Sequence, residues 1–281
     1  MIEFLIKLAN YSVMKNIGIC LLILASLLKF DNGYGQGYFK QAYKEYFYGD
    51  INKSVSLFTK SIENHEEIAK SYMYRGAAES FLNNFTDALL DLNQSLKLDS
   101  SNDKIYYYFG KYYLFQGLYG KAKQYYNISI RKNSKNAAAY DERAVSEGVL
   151  GEFQDAINDE DIAIKLDPAK EFFYTDRGFA KAGLRQFKEA IMDYNISIRM
   201  KPNQKAYADR GFAFANLGQY SKAIEDYSNA LKILSQDSEI YYRRGLSYKA
   251  IGKMDEACKD FSKSAELGYE PAIAEQKSTC K

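Results

Sequence analysis

A tyrosine returns along the chain at a nearly constant interval: Tyr38, Tyr72, Tyr106, Tyr140, Tyr174, Tyr207 and Tyr241. The interval is 34 residues, shortened once to 33. Four residues after each ring stands a residue with little or no side chain: Ala42, Gly76, Gly110, Ala144, Gly178, Gly211 and Gly245. Twelve further on come Ser54, Ala88, Ala122, Ala156, Ala190, Ala223 and Ala257. Seven beyond those are Ser61, Ser95, Ser129, Ala163, Ser197, Ala230 and Ser264. A period of this length is one supersecondary unit, and small residues at fixed points in it let two helices approach closely. The tyrosine ring is expected to fill the wider gap beside them. One such unit cannot bury its apolar stripe, so the copies must stack into a single solenoid with one continuous core. Only three prolines in 281 residues, with 47% apolar and 26% charged residues, suit a folded helical chain.

The pattern of an aromatic, a small residue, then Ala, an aromatic and Ala at a period of 34 resembles the tetratricopeptide repeat. The resemblance runs from Gly35 to about Pro271. It implies an all-α fold, a right-handed α-α superhelix of seven helix-turn-helix repeats. The repeats cover 36–271, at about 35–68, 69–102, 103–136, 137–170, 171–203, 204–237 and 238–271. A capping helix follows at 272–281. Each repeat reads as helix A, a turn and helix B. In the sixth, helix A spans about 205–217 and Ser221 is expected to cap helix B through about Ile233. Gly49, Gly117, Gly151, Gly218 and Gly252 mark the same turn, with Asn83 and Arg185 in place of glycine in the other two copies. Pro168 and Pro202 end helix B in the fourth and fifth.

The copies also serve as an internal comparison. Five carry an arginine three residues after the tyrosine: Arg75, Arg143, Arg177, Arg210 and Arg244. The same five carry an aspartate sixteen residues later: Asp91, Asp159, Asp193, Asp226 and Asp260. The first copy has Gln41 and Leu57 instead, the third Phe109 and Tyr125. Both members change together, which predicts an ion pair bracing helix A to helix B. Glu160 departs from its equivalents Phe58, Leu92, Tyr126, Tyr194, Tyr227 and Phe261. A carboxylate at a packing position needs a partner, and Lys181 on the following helix A is the expected one.

The first 35 residues read as an address. Met14-Lys15-Asn16 precedes a charge-free run from Ile17 to Leu28, the length of a secretory apolar region and short of the about 20 residues a membrane span needs. A cut between Gly35 and Gln36 is expected, giving an exported, periplasmic or cell-envelope protein. An uncleaved N-terminal membrane anchor is the alternative, and membrane contact is expected only in that case. Met14-Lys15 has the look of a signal start, so the true start codon lies at Met1 or Met14. Cys20 sits early in the apolar run, where a lipoprotein cysteine would not. That leaves Cys258 and Cys280, each eleven residues from Tyr269, to face one another across a terminal hairpin opened by Pro271. In an exported protein they most simply form a disulfide. Residues 265–272 also look like the junction of Sel1-type repeats.

A net charge of +2 with interspersed signs argues against nucleic acid. One histidine, His65, and three cysteines leave little for a metal site, and no cofactor is expected. No phosphate-cradling G-x-x-x-x-G-K-[ST], H-E-x-x-H or nucleophile-elbow pattern is present. The resemblance therefore implies a non-catalytic scaffold that binds a protein or peptide segment on a concave face lined by A helices. Carried over by register, that face offers Phe39, Tyr43, Tyr46, Met73, Phe81, Tyr107, Lys111, Phe172, Phe179, Phe212, Tyr242 and Lys249, rings with a few cations. Chaperone-binding relatives grip carboxylates with a lysine, asparagine and arginine set. The matching sites here are Tyr43, Ala77 and Lys111, without the asparagines, which disfavours a co-chaperone. The alternatives are a solenoid sensing a small molecule or glycan, and a self-assembling structural subunit.

Overall fold

The computed structural model describes residues 37–280. The N-terminal segment, with Cys20 and the expected cut, lies outside them. The described residues form fifteen α-helices and no strand. Seven antiparallel pairs follow one another: α1 (Tyr38–Tyr48) with α2 (Ile51–Glu63), α3 (Ile68–Phe81) with α4 (Phe85–Leu98), α5 (Asp103–Phe115) with α6 (Tyr119–Lys132), and α7 (Ala137–Leu150) with α8 (Phe153–Leu166). Then come α9 (Glu171–Gly183) with α10 (Phe187–Met200), α11 (Gln204–Asn216) with α12 (Tyr220–Ile233), α13 (Ser238–Ala250) with α14 (Met254–Glu266), and a last helix α15 (Glu270–Thr279). Odd numbers up to α13 are A helices and even numbers are B helices. Successive A helices also touch one another, which sets them on the inner side of the curve. No helix among the described residues is long and apolar enough to cross a membrane.

The turns follow from local chemistry. Gly117, Gly151, Gly218 and Gly252 take φ between +71° and +80°, where glycine meets no Cβ clash. Asn83 and Arg185 adopt the same left-handed conformation at φ 64° and 61°, so the turn is held by the fold even where its residue resists it. Gly49 differs: its φ is −139°, and Asp50 caps α2 by accepting from Asn52 N at 2.8 Å. Ser221 does not cap α12. That helix enters from Gln219, without a side-chain cap, directly out of the left-handed turn. The A helices α5, α7, α11 and α13 are instead capped by Asn102, Asn136, Asn203 and Asp237.

Close approach of A to B is real, but the ring in the gap is not the repeating tyrosine. A Cβ on Gly178 would stand 2.7 Å from the Tyr194 ring, on Gly211 2.9 Å from Tyr227, and on Gly245 2.7 Å from Phe261. The B-helix aromatic fills the space that the A-helix glycine vacates. In the fourth repeat, Ala144 faces this space and the ring is replaced by Glu160.

The repeating tyrosine carries the arginine instead. In all five copies the guanidinium lies 5.4–5.7 Å from its ring centroid. Each arginine grips its aspartate with two parallel bonds of 2.5–2.9 Å, pairing Arg75 with Asp91, Arg143 with Asp159, Arg177 with Asp193, Arg210 with Asp226 and Arg244 with Asp260. The remaining nitrogen reaches back to the preceding B helix, to Thr59, Asn127, Asp161, Asn195 and Ser228 at 2.5–3.0 Å. One side chain thus ties three helices and two repeats. In the third repeat, Phe109 stacks on Tyr125 at 5.0 Å in its stead. At the C-terminal end, Gln276 of α15 donates to Ser262 at 2.8 Å, the residue equivalent to Ser228.

The core runs along the stack, with its fully buried residues unevenly distributed. A large aromatic cluster, including Phe58, Tyr74, Leu92, Tyr108, Phe109 and Tyr112, spans the first three repeats. Beyond it the buried apolar residues group into smaller clusters. In the fourth repeat the carboxylates Asp141, Glu147 and Glu160 are buried as well. At the other end, Cys258 of α14 and Cys280 stand together with Cα atoms 5.6 Å apart, a separation that a disulfide spans.

Candidate concave-face binding site

The A helices present their residues in rows set by the 34-residue period. The row one residue after the repeating tyrosine is Phe39, Met73, Tyr107, Asp141, Thr175, Ala208 and Tyr242. It turns largely into the joints between helices rather than the groove. Met73 is 1% exposed and sits in the aromatic cluster, so it is corrected from a surface residue to a core one. Phe39 packs on that cluster as well, beside Phe58 and Tyr74. Tyr242 is covered by Tyr269 from the final turn, ring centroids 5.2 Å apart.

The row five residues after the tyrosine faces the groove. It holds Tyr43, Lys111, Phe179 and Phe212. Phe179 is 43% exposed and Phe212 37%. Tyr43 joins Tyr46, Phe47 and Tyr74 in an edge-on aromatic group at the N-terminal end. Burial pushes the Tyr46 hydroxyl up to about 12. Lys111 donates to Glu142 at 2.7 Å, and Tyr107 to the same oxygen at 3.4 Å. Lys249 is taken by Glu275 and Thr279 of α15, so the cap covers the C-terminal end of the seventh A helix and leaves its first turns, with Arg243, on the cavity. Phe81 and Phe172 remain exposed, Phe81 meeting Phe115 edge-on.

Phe179 and Phe212 line one cavity of about 450 Å³ between α9, α11 and α13, with Phe153 of α8 at its side. Lys205 lies 6.0 Å from the Phe179 ring and Arg243 4.8 Å from the Phe212 ring. Gln204 and Asp237 join at 2.7 Å on its wall. Asp209 also lines it. Its Oδ2 is closed off from solvent with no hydrogen-bond partner, and burial pushes its carboxyl up to about 6 against the pull of Lys205 and Arg243. Apolar walls with a few polar groups inside are the usual make-up of a ligand cavity. Lys205, Asp209 and Arg243 escaped the sequence reading. The signal was there in the row two residues after the tyrosine, where Glu142, Asp176, Asp209 and Arg243 follow one another.

Glu160 is fully enclosed, and Lys181 does not reach it: that ammonium bonds Asp193 at 2.7 Å, within its own repeat. The neighbours of Glu160 are two further acids, Asp141 of α7 and Asp176 of α9. Burial, then mutual repulsion, holds the Glu160 and Asp141 carboxyls well above the usual range.

Residues 211–252 match the family described as TPR repeat, and residues 238–267 the tetratricopeptide repeat. The chain is 34% identical over 91 residues to heat shock protein STI1 of Saccharomyces cerevisiae, a match covering 32% of this chain and 15% of that protein. Among solved structures, it superimposes on a chain of the APC/C hetero-tetramer Cut9-Hcn1 with a TM-score of 0.78 at 17% identity, over 93% of this chain and 52% of that one. A tetratricopeptide repeat protein from Parabacteroides merdae gives 0.64 at 18%, over 88% of this chain and 100% of that one. YrrB, titled a TPR protein with an unusual peptide-binding site, gives 0.52 at 16%, over 66% and 97%. The chain therefore spans about half of the Cut9-Hcn1 chain and a small part of STI1. Residues 211–267 match tetratricopeptide-repeat models, and the fold is that of a right-handed tetratricopeptide-repeat solenoid closed by a capping helix.

Proposed function

We propose that this chain is a non-catalytic scaffold of the bacterial cell envelope, and that it holds an extended segment of a partner protein in the groove of repeats five to seven. Tetratricopeptide-repeat proteins act generally as protein-interaction scaffolds, and fold alone does not carry the finer reading. The observation that carries it is the cavity between α9, α11 and α13, where exposed rings at Phe179 and Phe212 stand under the cations Lys205 and Arg243. Rings of this kind anchor side chains of a bound segment, while flanking charges set its register. The test is in-cell cross-linking and affinity capture with the parent and with Phe179→Lys/Phe212→Lys. Both positions are exposed, so the variant keeps its fold. A protein captured by the parent and lost from the folded variant is the expected result. The same set from both sinks the groove. A melting shift produced by a small molecule without any captured protein would favour the ligand-sensing alternative.

Export is supported by the apolar run before Gly35 and by the meeting of Cys258 with Cys280. An oxidising compartment keeps such a pair closed. Peptide mass mapping of native protein without reduction is expected to recover the Cys258–Cys280 linkage and to find no peptide before Gln36. Free thiols at both cysteines in native material would remove the export reading.

A further inference from the structure

The joint between the fourth and fifth repeats contains an uncompensated knot of acid. Asp141 of α7, Glu160 of α8 and Asp176 of α9 each bring a carboxylate oxygen to within 4.8 Å of the other two. Glu160 has no exposed surface, and neither of its oxygens has a hydrogen-bond partner; Asp141 Oδ1 is likewise buried and unpartnered. An orphaned buried carboxylate is among the costliest groups a fold can keep. Elsewhere in the chain the position of Glu160 belongs to a ring or a leucine. The lysines on neighbouring A helices do not neutralise the knot: Lys111 of α5 is bound to Glu142. Lys181 is bound to Asp193, and Lys205 reaches only Asp176 Oδ1, at 2.5 Å, from the solvent side. With one ammonium nearby, burial and mutual repulsion favour the protonated forms of Glu160 and Asp141, and ionising all three acids together requires two further positive charges.

A divalent ion supplies that charge and fits that size. Two oxygens on one Ca²⁺, at about 2.3–2.6 Å each, lie no more than about 5 Å apart. The donors are all oxygen, with no histidine or cysteine among them, which selects hard ions over zinc or copper. Asp176 is only half-buried and gives such an ion its way in. We propose that Asp141, Glu160 and Asp176 bind a hard divalent cation, Ca²⁺ in the first instance, which clamps α7, α8 and α9 together.

The test uses the full chain, first freed of metal with a chelator. Equilibrium dialysis against about 1 mM Ca²⁺, the weak end of protein calcium sites, is read by elemental analysis. The expected result is one ion per chain and a melting midpoint higher in Ca²⁺ than in chelator. Glu160→Leu places at this position the side chain that Leu92 already supplies in the second repeat. It is expected to bind no ion there and to melt at the same temperature with and without Ca²⁺. Asp176→Asn, at the accessible edge, is expected to weaken binding at least tenfold while leaving the fold intact. Absence of bound ion from the parent would overturn the site whatever the variants do. So would equal binding by parent, Glu160→Leu and Asp176→Asn, which would move the ion to the second acid group, buried Glu147 with exposed Glu152 and Asp155.

Discussion

Arg210→Ala lowers stability by about 3 kcal/mol, the range found when a buried ion pair loses one partner. For a chain of this size that is a fall in midpoint of about 6–12 °C. The reason lies in the unequal burial of the pair. The Asp226 side chain is 3% exposed and the Arg210 side chain 19%. Removing arginine strands a carboxylate that cannot reach water, whereas Asp226→Ala leaves a guanidinium that partly can, so its effect is expected to be smaller. Burial already raises the Asp226 carboxyl and Arg210 pulls it down. Without Arg210 the folded carboxyl rises further above its unfolded value. The folded state then binds more protons than the unfolded one, and stability falls as pH rises. The deficit of Arg210→Ala should therefore be larger at pH 8 than at pH 5. The double variant Arg210→Phe/Asp226→Tyr copies the third repeat, where Phe109 stacks on Tyr125. It should recover most of the loss, because replacing both partners leaves no orphan. A double variant as unstable as Arg210→Ala would show that the fork acts through its third bond, to Asn195.

Glu160→Leu moves stability the other way, upward by about 1–4 kcal/mol in chelator, the range for replacing buried ionic groups by apolar ones of similar volume. It also changes the pH response. In the parent without metal, the Glu160 and Asp141 carboxyls are raised above their unfolded values by burial and by each other. Glu147 is raised to about 7 by burial and the nearby Asp159 charge. Above the ordinary carboxylate range, near 4.5 for glutamate, the unfolded chain has lost these protons while the folded chain retains them. Stability must therefore fall from about pH 5 upward. Urea midpoints at pH 5, 6.5 and 8 are expected to decline steadily for the parent and less steeply for Glu160→Leu, in which Glu147 still titrates. A parent curve that rises with pH in chelator would mean that these acids are ionised and otherwise compensated.

The architecture could be read from the chain because each repeat solves the same packing problem with the same few residues. Seven copies show which positions vary together, and joint loss of arginine and aspartate in two of them exposed the brace. What could not be read was direction. Met73 and Phe179 both stand on A helices, four residues apart in repeat register. The first is buried in the joint and the second stands open in the groove, a difference of environment that register alone does not give. The partner of Glu160 failed for a related reason. Lys181 has a nearer acid, Asp193, on the helix it packs against, and competition between partners is decided by distances that spacing does not contain. The back-reaching bonds to Thr59, Asn127, Asp161, Asn195 and Ser228 were latent in a polar residue following the B-helix packing position, a ring in four of these repeats and Glu160 in the other, yet only the folded joint shows what they meet.

The uneven distribution of these arginine ties gives the solenoid two kinds of mechanics. They cross every joint between repeats from the third to the seventh, and the joint between the first and second, but at the entry to the third repeat Phe109 takes the arginine's place. Directional bonds weaken steeply when bent or stretched, whereas apolar contact is non-directional and tolerates sliding. Under load along its axis the second-to-third joint is expected to slide on its apolar contacts, whereas the bonded joints of repeats five to seven resist bending. A segment lying in that stretch would meet a groove of constant shape while the N-terminal end of the coil swings around it.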